Sequence, residues 1–86
     1  MAKAISKNSA IPGWAKRIES FRLSLRMSQA QLSEEMQYSA MAISRWERGI
    51  QEPPAEIYIK LGKLASGQDR WFFLGKSRAK EDGYSE

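Results

Sequence analysis

The sequence predicts an all-α domain of five helices. Its apolar residues recur at spacings of three and four, the period of one face of an α-helix. Two of the predicted helices are short and are separated only by Gln37 and Tyr38, which leave no room for a long loop. With 86 residues, the chain is long enough for one small domain with a single modest core.

The composition limits the functions that are open to the chain. Hydrophobic residues make up 42% and charged residues 28%, which is typical of a soluble globular domain. The chain has no cysteine and no histidine, so it lacks thiolate and imidazole metal ligands and the commonest general base. We therefore expect a protein that is not an enzyme, with no catalytic residues, no metal site and no cofactor.

The charge balance suits an anionic partner. The 14 basic and 10 acidic residues give a formal charge of +4, with a sequence pI of about 9.6. Many unrelated small proteins share such a surplus, so charge alone does not identify nucleic acid as the partner. No apolar run approaches the roughly 18 residues needed to cross a bilayer, and the N-terminus lacks a signal-peptide core. The expected location is the cytoplasm.

The first 13 residues show little helical periodicity. They include Lys3 and Lys7, together with Pro12 and Gly13, and we expect a flexible arm over residues 1–13. This arm is either a frayed chain end or a basic segment that touches phosphates or a minor groove.

The first helix is predicted over residues 14–26. Its apolar residues fall at spacings of four, three and four: Trp14, Ile18, Phe21 and Leu25. Arg22 lies four residues after Ile18 and so points partly toward the interior. An unpaired guanidinium is very costly there, so Arg22 needs a partner.

A pair of short helices in residues 28–49 forms the centre of the predicted fold. Apolar residues repeat within each half: Leu32 and Met36, then Ile43 and Trp46. Ser39 stands where an N-cap hydroxyl would begin a new helix. Helices this short cannot stack antiparallel across so brief a link, so they must cross steeply, as in a helix-turn-helix.

A fourth helix is predicted after this pair. Gly49 suits the end of the preceding helix, while Pro53 and Pro54 force an extended link and place Pro54 at the first position of the new helix. The predicted buried residues of this helix are Ile57, Leu61 and Leu64. Ser66 and Gly67 are predicted to end it.

A last short helix is predicted to begin at Asp69 and to stop at Gly75. It carries four large apolar residues in a row: Trp71, Phe72, Phe73 and Leu74. Such a run wraps most of a helix, so some of these side chains close the core and others stay exposed, where they can form a dimer contact. Residues 76–86 are expected to be a flexible tail.

Several of these features occur in a recognisable order: Arg22, then Met27 to Leu32 opening the second helix, Ile43 to Gly49 closing the third, Pro53 and Pro54, and Arg70 to Gly75. In this order and spacing, residues 18–75 resemble the DNA-binding domain of the Cro and phage-repressor type, the XRE-type helix-turn-helix. The resemblance implies a lambda-repressor-like domain over residues 14–75, encoded by a bacterium or phage and associated with the nucleoid. Its core positions would be Leu32, Met36, Ile43 and Trp46.

The resemblance also supplies a partner for Arg22, because it implies a buried ion pair with Glu47. The alternative is that both are surface charges. The turn departs from the family's pattern, which usually has glycine where this chain has Gln37; a positive φ there would cost about 1 kcal/mol. Ser33 replaces an alanine inside the second helix, where its hydroxyl can bond back to a helix carbonyl.

The resemblance and the dimensions of DNA grooves imply how DNA would be bound. An α-helix fits the major groove, with residues near its N-terminus at the base edges. In the helix over residues 39–48, the candidates for base contacts are Ala40, Met41, Ser44 and Arg45. Arg45 matches the O6 and N7 acceptors of guanine, and Ala40 and Met41 can touch thymine methyl groups. The alternative for Met41 is partial burial against Tyr38. The candidates for phosphate contacts are Ser28, Gln29, Ser39, Arg48 and Gln51.

The expected function is sequence-specific binding of double-stranded DNA by a small transcriptional regulator, most simply a repressor. One subunit covers little DNA, so we expect a homodimer on an inverted-repeat operator, with Trp71, Phe72 and Phe73 as the candidate dimer patch. Two alternatives remain open. One is an antitoxin that binds both DNA and a toxin. The other is a protein-binding adaptor, in which Gln37, Ala40 and Met41 would indicate that the helix-turn-helix no longer recognises DNA sequence.

Overall fold

The computed structural model describes residues 11–83, with side chains for residues 11–80, as five α-helices and no strand. The helices are α1 (Gly13–Ser24), α2 (Gln29–Met36), α3 (Ala40–Glu47), α4 (Ala55–Leu64) and α5 (Gly67–Gly83). The predicted all-α class and the number of helices are confirmed for this range. The chain divides into two compact units, residues 1–52 with α1 to α3 and residues 53–86 with α4 and α5. No helix in residues 11–83 is long and apolar enough to cross a membrane.

The first helix is shorter at its end than predicted. Its buried apolar residues are Ala15, Ile18 and Phe21, and Trp14 is half-buried. The helix stops at Ser24, so Leu25, which we expected on the buried stripe, is 39% exposed. Of the predicted arm, residues 1–10 lie outside the described residues, and Gly13 already belongs to α1.

The second helix begins with a reciprocal pair of hydrogen bonds. Ser28 Oγ accepts from the amide of Gln31 at 3.0 Å, and Gln31 Oε1 accepts from the amide of Ser28 at 2.8 Å. This capping box satisfies two backbone donors at the helix start. Inside the helix, Ser33 Oγ donates to the carbonyl of Ala30 at 2.7 Å, the backbone bond that the sequence predicted.

The turn between α2 and α3 has the positive φ that we expected at Gln37. This residue is left-handed, with φ 62° and ψ 41°. The amide of Tyr38 then bonds to the carbonyl of Ser33 at 3.0 Å, and Ser39 Oγ caps α3 by accepting from the amide of Ala42 at 3.1 Å. Gln37 therefore reverses the chain in a conformation that favours glycine.

The core of the first unit lies where α3 packs against both α1 and α2. The four residues that the resemblance placed there are all at most 2% exposed: Leu32, Met36, Ile43 and Trp46. The Tyr38 ring extends this cluster by tilting against the Trp46 ring, with centroids 5.3 Å apart.

A buried ion pair joins α1 to the end of α3. Arg22 Nε donates to Glu47 Oε2 at 2.7 Å, and Arg22 Nη2 donates to Oε1 at 3.1 Å. The two side chains are 11% and 3% exposed, so neither is a surface charge. The hydrogen bond to Glu47, opposed in part by burial, raises the pKa of Arg22 above its already high usual value. Arg22 thus keeps its charge throughout the neutral and mildly alkaline range.

Gly49 follows α3 at a position that tolerates no side chain. Its φ is +75°, and a Cβ added there would lie 2.4 Å from Cδ of Pro12. The Pro12 ring is therefore seated directly on the backbone of Gly49, next to the end of the ion-paired helix.

The second unit corrects several predicted boundaries. Pro54 is the N-cap of α4 rather than its first residue, and Leu64 is 37% exposed at the end of that helix. Gly67 does not end a helix but begins α5. The predicted stop at Gly75 is wrong, because α5 continues to Gly83 and takes in most of the expected tail.

The buried residues of α5 lie on both sides of Gly75. Phe73 is fully buried and stacks on Tyr58, with ring centroids 6.3 Å apart, and Ser77 beyond the glycine is also buried. A glycine inside a helix costs roughly 1 kcal/mol, and α5 continues through Gly75 in spite of it. Leu74 fits where α4 has Gly62, at which a Cβ would lie 2.6 Å from Leu74 Cδ2. Phe73 is consequently not available for the dimer patch predicted from the sequence.

We expect Arg22→Ala to lower the free energy of unfolding by about 3 kcal/mol, because it leaves the Glu47 carboxylate buried without its cation. Denaturant unfolding would measure the change. Adding Glu47→Gln should restore part of the loss by removing the stranded charge. Lys16→Ala on the exposed face of α1 is the matched control and should change stability by less than about 0.5 kcal/mol. Equal stability of Arg22→Ala and the parent would contradict a structural role for the pair.

We expect Gln37→Gly to raise the free energy of unfolding by about 1 kcal/mol, because glycine adopts the left-handed conformation without strain. Gln37→Ala retains the strain and removes only the side chain, so it separates the two contributions. Urea unfolding of the three proteins would measure both. A glycine variant no more stable than the alanine variant would show that the backbone at this turn is unstrained.

Candidate nucleic-acid interface

The third helix has one buried and one exposed side. Its buried residues are Ile43, Trp46 and Glu47. At about 100° per residue, the remaining positions other than Ala42 fall within an arc of roughly 140° on the opposite side. This arc holds Ala40, Met41, Ser44, Arg45 and, just past the helix end, Arg48. All four predicted base-contacting residues therefore share one face.

Side chains on this arc are accessible to a partner. Ala40 and Arg45 are exposed, Ser44 is half-buried, and Met41 is 61% exposed. Most of the Met41 side chain is therefore open to a partner, and the Tyr38 ring packs on Trp46. The guanidinium of Arg45 makes no hydrogen bond or ion pair within residues 11–80, so its donors are available.

The side chain of Arg48 is hydrogen-bonded to Ser44 on the same face of α3. Its Nε donates to the Ser44 hydroxyl at 3.1 Å and to the Ser44 carbonyl at 3.3 Å. These bonds turn the guanidinium toward the preceding turn of α3 and leave the Nη donors for another acceptor. Arg48 was among the phosphate-contacting candidates, but the sequence did not indicate its hydrogen bonds to Ser44.

Two cap serines stand at the starts of α2 and α3. The oxygens of Ser28 and Ser39 each accept a backbone amide, so the attached hydroxyl hydrogens can still donate to a phosphate. Neither helix has an acidic residue in its first turn. The first turns of the two helices thus carry no acidic residue of their own that would repel an anion.

Gln29 is tied to the ion pair. Its side-chain Nε2 donates to Glu47 Oε1 at 3.0 Å, the oxygen that also accepts from Arg22. Gln29 is half-buried, so this bond fixes its amide at the surface beside the first turn of α2. Gln51, the other predicted phosphate-contacting glutamine, is exposed after α3.

Two exposed residues near these positions were not among the sequence-based candidates. Ile50 is 63% exposed directly after Gly49. Arg26 is exposed in the link between α1 and α2, with a left-handed φ of 60°. The only sequence indication for Arg26 was its place between the end of one helix and the N-cap serine of the next.

The exposed arc of α3 and the two helix starts present hydrogen-bond donors and small apolar groups. Their side chains offer guanidinium, hydroxyl and amide donors together with small apolar contacts. Within the part of the chain that the structure describes, no group of three or more acidic, cysteine or histidine side chains is placed to hold a metal ion. Donors of this kind match phosphate oxygens and the base acceptors of a major groove.

Comparison with known proteins places this geometry in a family. The profile of the helix-turn-helix family HTH_3 matches residues 18–64, which include α2, α3 and α4. No curated protein and no solved structure matches the chain. The family consists of DNA-binding regulatory domains, and the match confirms the resemblance on which the candidate residues were chosen. The chain belongs to the helix-turn-helix family HTH_3, of the XRE type.

Proposed function

We propose that this protein is a transcriptional regulator, most simply a repressor, that binds double-stranded DNA sequence-specifically through α3. The observation that carries the proposal is the division of α3 into a buried edge and an exposed arc. A helix inserts into the major groove only if its outward face is free and its inward face is anchored. Both conditions hold here, within a family of DNA-binding regulators.

Arg45 is the principal base-reading residue in this proposal. It lies on the exposed arc, and its guanidinium has no partner among the described side chains. The planar fork of a guanidinium can donate two parallel hydrogen bonds to O6 and N7 of guanine, worth roughly 1–3 kcal/mol of discrimination. Ala40 and Met41 offer apolar contact to thymine methyl groups one turn earlier.

Phosphate contacts position the helix in the groove. Ser28 and Ser39 donate their hydroxyl hydrogens, and the unpaired amides of the first turns of α2 and α3 add to the attraction. Gln29 has a second amide hydrogen beyond the one bound to Glu47, and Arg48 retains its Nη donors. Gln51 completes the set. These groups contact the backbone irrespective of base sequence, so they set affinity and register.

A homodimer on an inverted repeat gives the specificity that one subunit cannot. Trp71 supports a dimer contact in the second unit because it is 73% exposed, and Phe72 is half-buried. Trp71 also borders a groove of about 380 Å³ lined by Leu74 and Gly75. A symmetric pair of subunits can place each Trp71 in the groove of the other.

A protein-binding adaptor is the second candidate. The exposure of Met41 and Ile50 favours this candidate. Both side chains are apolar and more than 60% exposed, on or next to the exposed arc of α3. Two exposed apolar side chains suit a protein partner as well as thymine methyl groups. Salt-dependent binding to DNA separates the candidates, because only the DNA reader replaces counterions of a duplex. The antitoxin alternative predicts that a toxin copurifies with the chain.

Selection of bound sequences from a random pool of duplex DNA tests the proposed function. We expect a palindromic consensus with half-site centres one helical turn apart, about 34–36 Å, because a two-fold dimer presents two α3 helices. An asymmetric single site would contradict the dimer but would still support sequence-specific binding through α3. A pool that shows no enrichment would contradict sequence-specific binding.

We expect Arg45→Ala and Arg48→Ala to have different effects on binding. Arg45→Ala should relax preference at one base pair of each half-site, by roughly 1–3 kcal/mol, because it removes a base contact. Arg48→Ala should weaken binding to all sequences alike and make the log–log salt slope shallower by about 0.9 per subunit. Titration of the selected site and its single-base variants at several salt concentrations measures both. Uniform loss in both variants would refute base reading by Arg45.

A further inference from the structure

In the link between α1 and α2, one residue has a disfavoured backbone conformation and a side chain with no polar partner among residues 11–80. Arg26 has φ 60°, a backbone conformation in which an L side chain is disfavoured. Its amide closes the end of α1 on the carbonyl of Leu23 at 2.9 Å, which glycine would do equally well. Arg26 and Gln37 are the two non-glycine residues with positive φ among residues 11–83.

The side chain of Arg26 does not offset this strain within the molecule. It is exposed, so it adds no buried packing. Among residues 11–80 its guanidinium makes no hydrogen bond, ion pair or ring contact. The first turn of α2, which follows it closely, has no acidic residue with which it could pair. A cation kept at a strained position without a partner points to a contact outside the chain.

The position of Arg26 relates that contact to the DNA surface. Ser28 is two residues away, so the two Cα atoms are at most about 7 Å apart, within reach of a long arginine side chain. Ser28 and Gln29 are phosphate-contacting residues of the proposed function. A duplex that touches them would bring its phosphates to the Arg26 guanidinium, which binds such oxygens through charge-assisted hydrogen bonds.

We propose that Arg26 is a further phosphate-binding residue of the DNA interface, retained at a backbone position that would be more stable with glycine. This inference rests on the proposed function, because it extends the same surface beyond the helix-turn-helix. It assigns Arg26 a part in affinity and none in base specificity, since phosphate contacts carry no sequence information.

Replacement of Arg26 by glycine tests the inference because it changes stability and affinity in opposite directions. We expect Arg26→Gly to raise the midpoint of thermal unfolding and to weaken binding to a mixed-sequence DNA duplex. The log–log salt slope should become shallower by about 0.9 per subunit, the value for one phosphate contact. Arg26→Lys keeps both the charge and the strained backbone, so it should retain the slope of the parent protein.

Gln37→Gly is the matched control within the same chain. It relieves the other left-handed non-glycine residue and removes no charge, so it should raise the unfolding midpoint and leave the salt slope unchanged. Arg26→Gly with the parent's affinity and slope would overturn the inference. The inference would also be overturned if the log–log salt slope of Arg26→Lys or of Gln37→Gly became as shallow as that of Arg26→Gly. The change in slope would then not follow the loss of the charge.

The same titration separates failure of this inference from failure of the proposed function. If the parent binds the duplex with a steep salt dependence and Arg26→Gly matches it, only the assignment of Arg26 is wrong. If the parent shows no salt-dependent binding, the proposed function is wrong and the assignment of Arg26 is wrong with it.

Discussion

The buried ion pair between Arg22 and Glu47 is the interaction on which the first unit depends. One guanidinium donates to Glu47 through Nε and Nη2, while its Nη1 donates to the carbonyl of Met27 at 2.8 Å. Gln29 adds a third donor to the same carboxylate. Elements α1, α2 and α3 thus meet at one hydrogen-bonded cluster. Burying two charges is costly, and only such full pairing makes it tolerable.

This cluster couples the core to the proposed reading surface. Glu47 closes the buried edge of α3, whereas Arg45 and Arg48 lie on the exposed arc on either side of it in sequence. A reading helix must be held rigidly to place side chains against base edges. The ion pair, the apolar core and the capping serines provide that rigidity. The Gln29 side chain joins the same support to the start of α2, where phosphate is proposed to bind.

The turns before and after α2 each contain a non-glycine residue in a left-handed backbone conformation. Arg26 precedes the helix and Gln37 follows it, and each has the positive φ that glycine adopts freely. After α3, by contrast, Gly49 occupies its positive φ because Pro12 leaves no space for a Cβ. Sequences often retain less stable residues where the side chain serves binding. The contrast between these turns supports a functional reason for the charged side chain at Arg26.

By itself the sequence determined the helical class, the buried face of each short helix and the exposed arc of α3, because these depend on local periodicity and capping. The resemblance added the partner of Arg22. The tertiary structure decided how far each helix runs: α1 stops before Leu25, and α5 passes Gly75 and buries Ser77 beyond it. It also decided which polar groups meet, such as Gln29 with Glu47, since pairing between elements depends on their packing and not on their spacing in the chain.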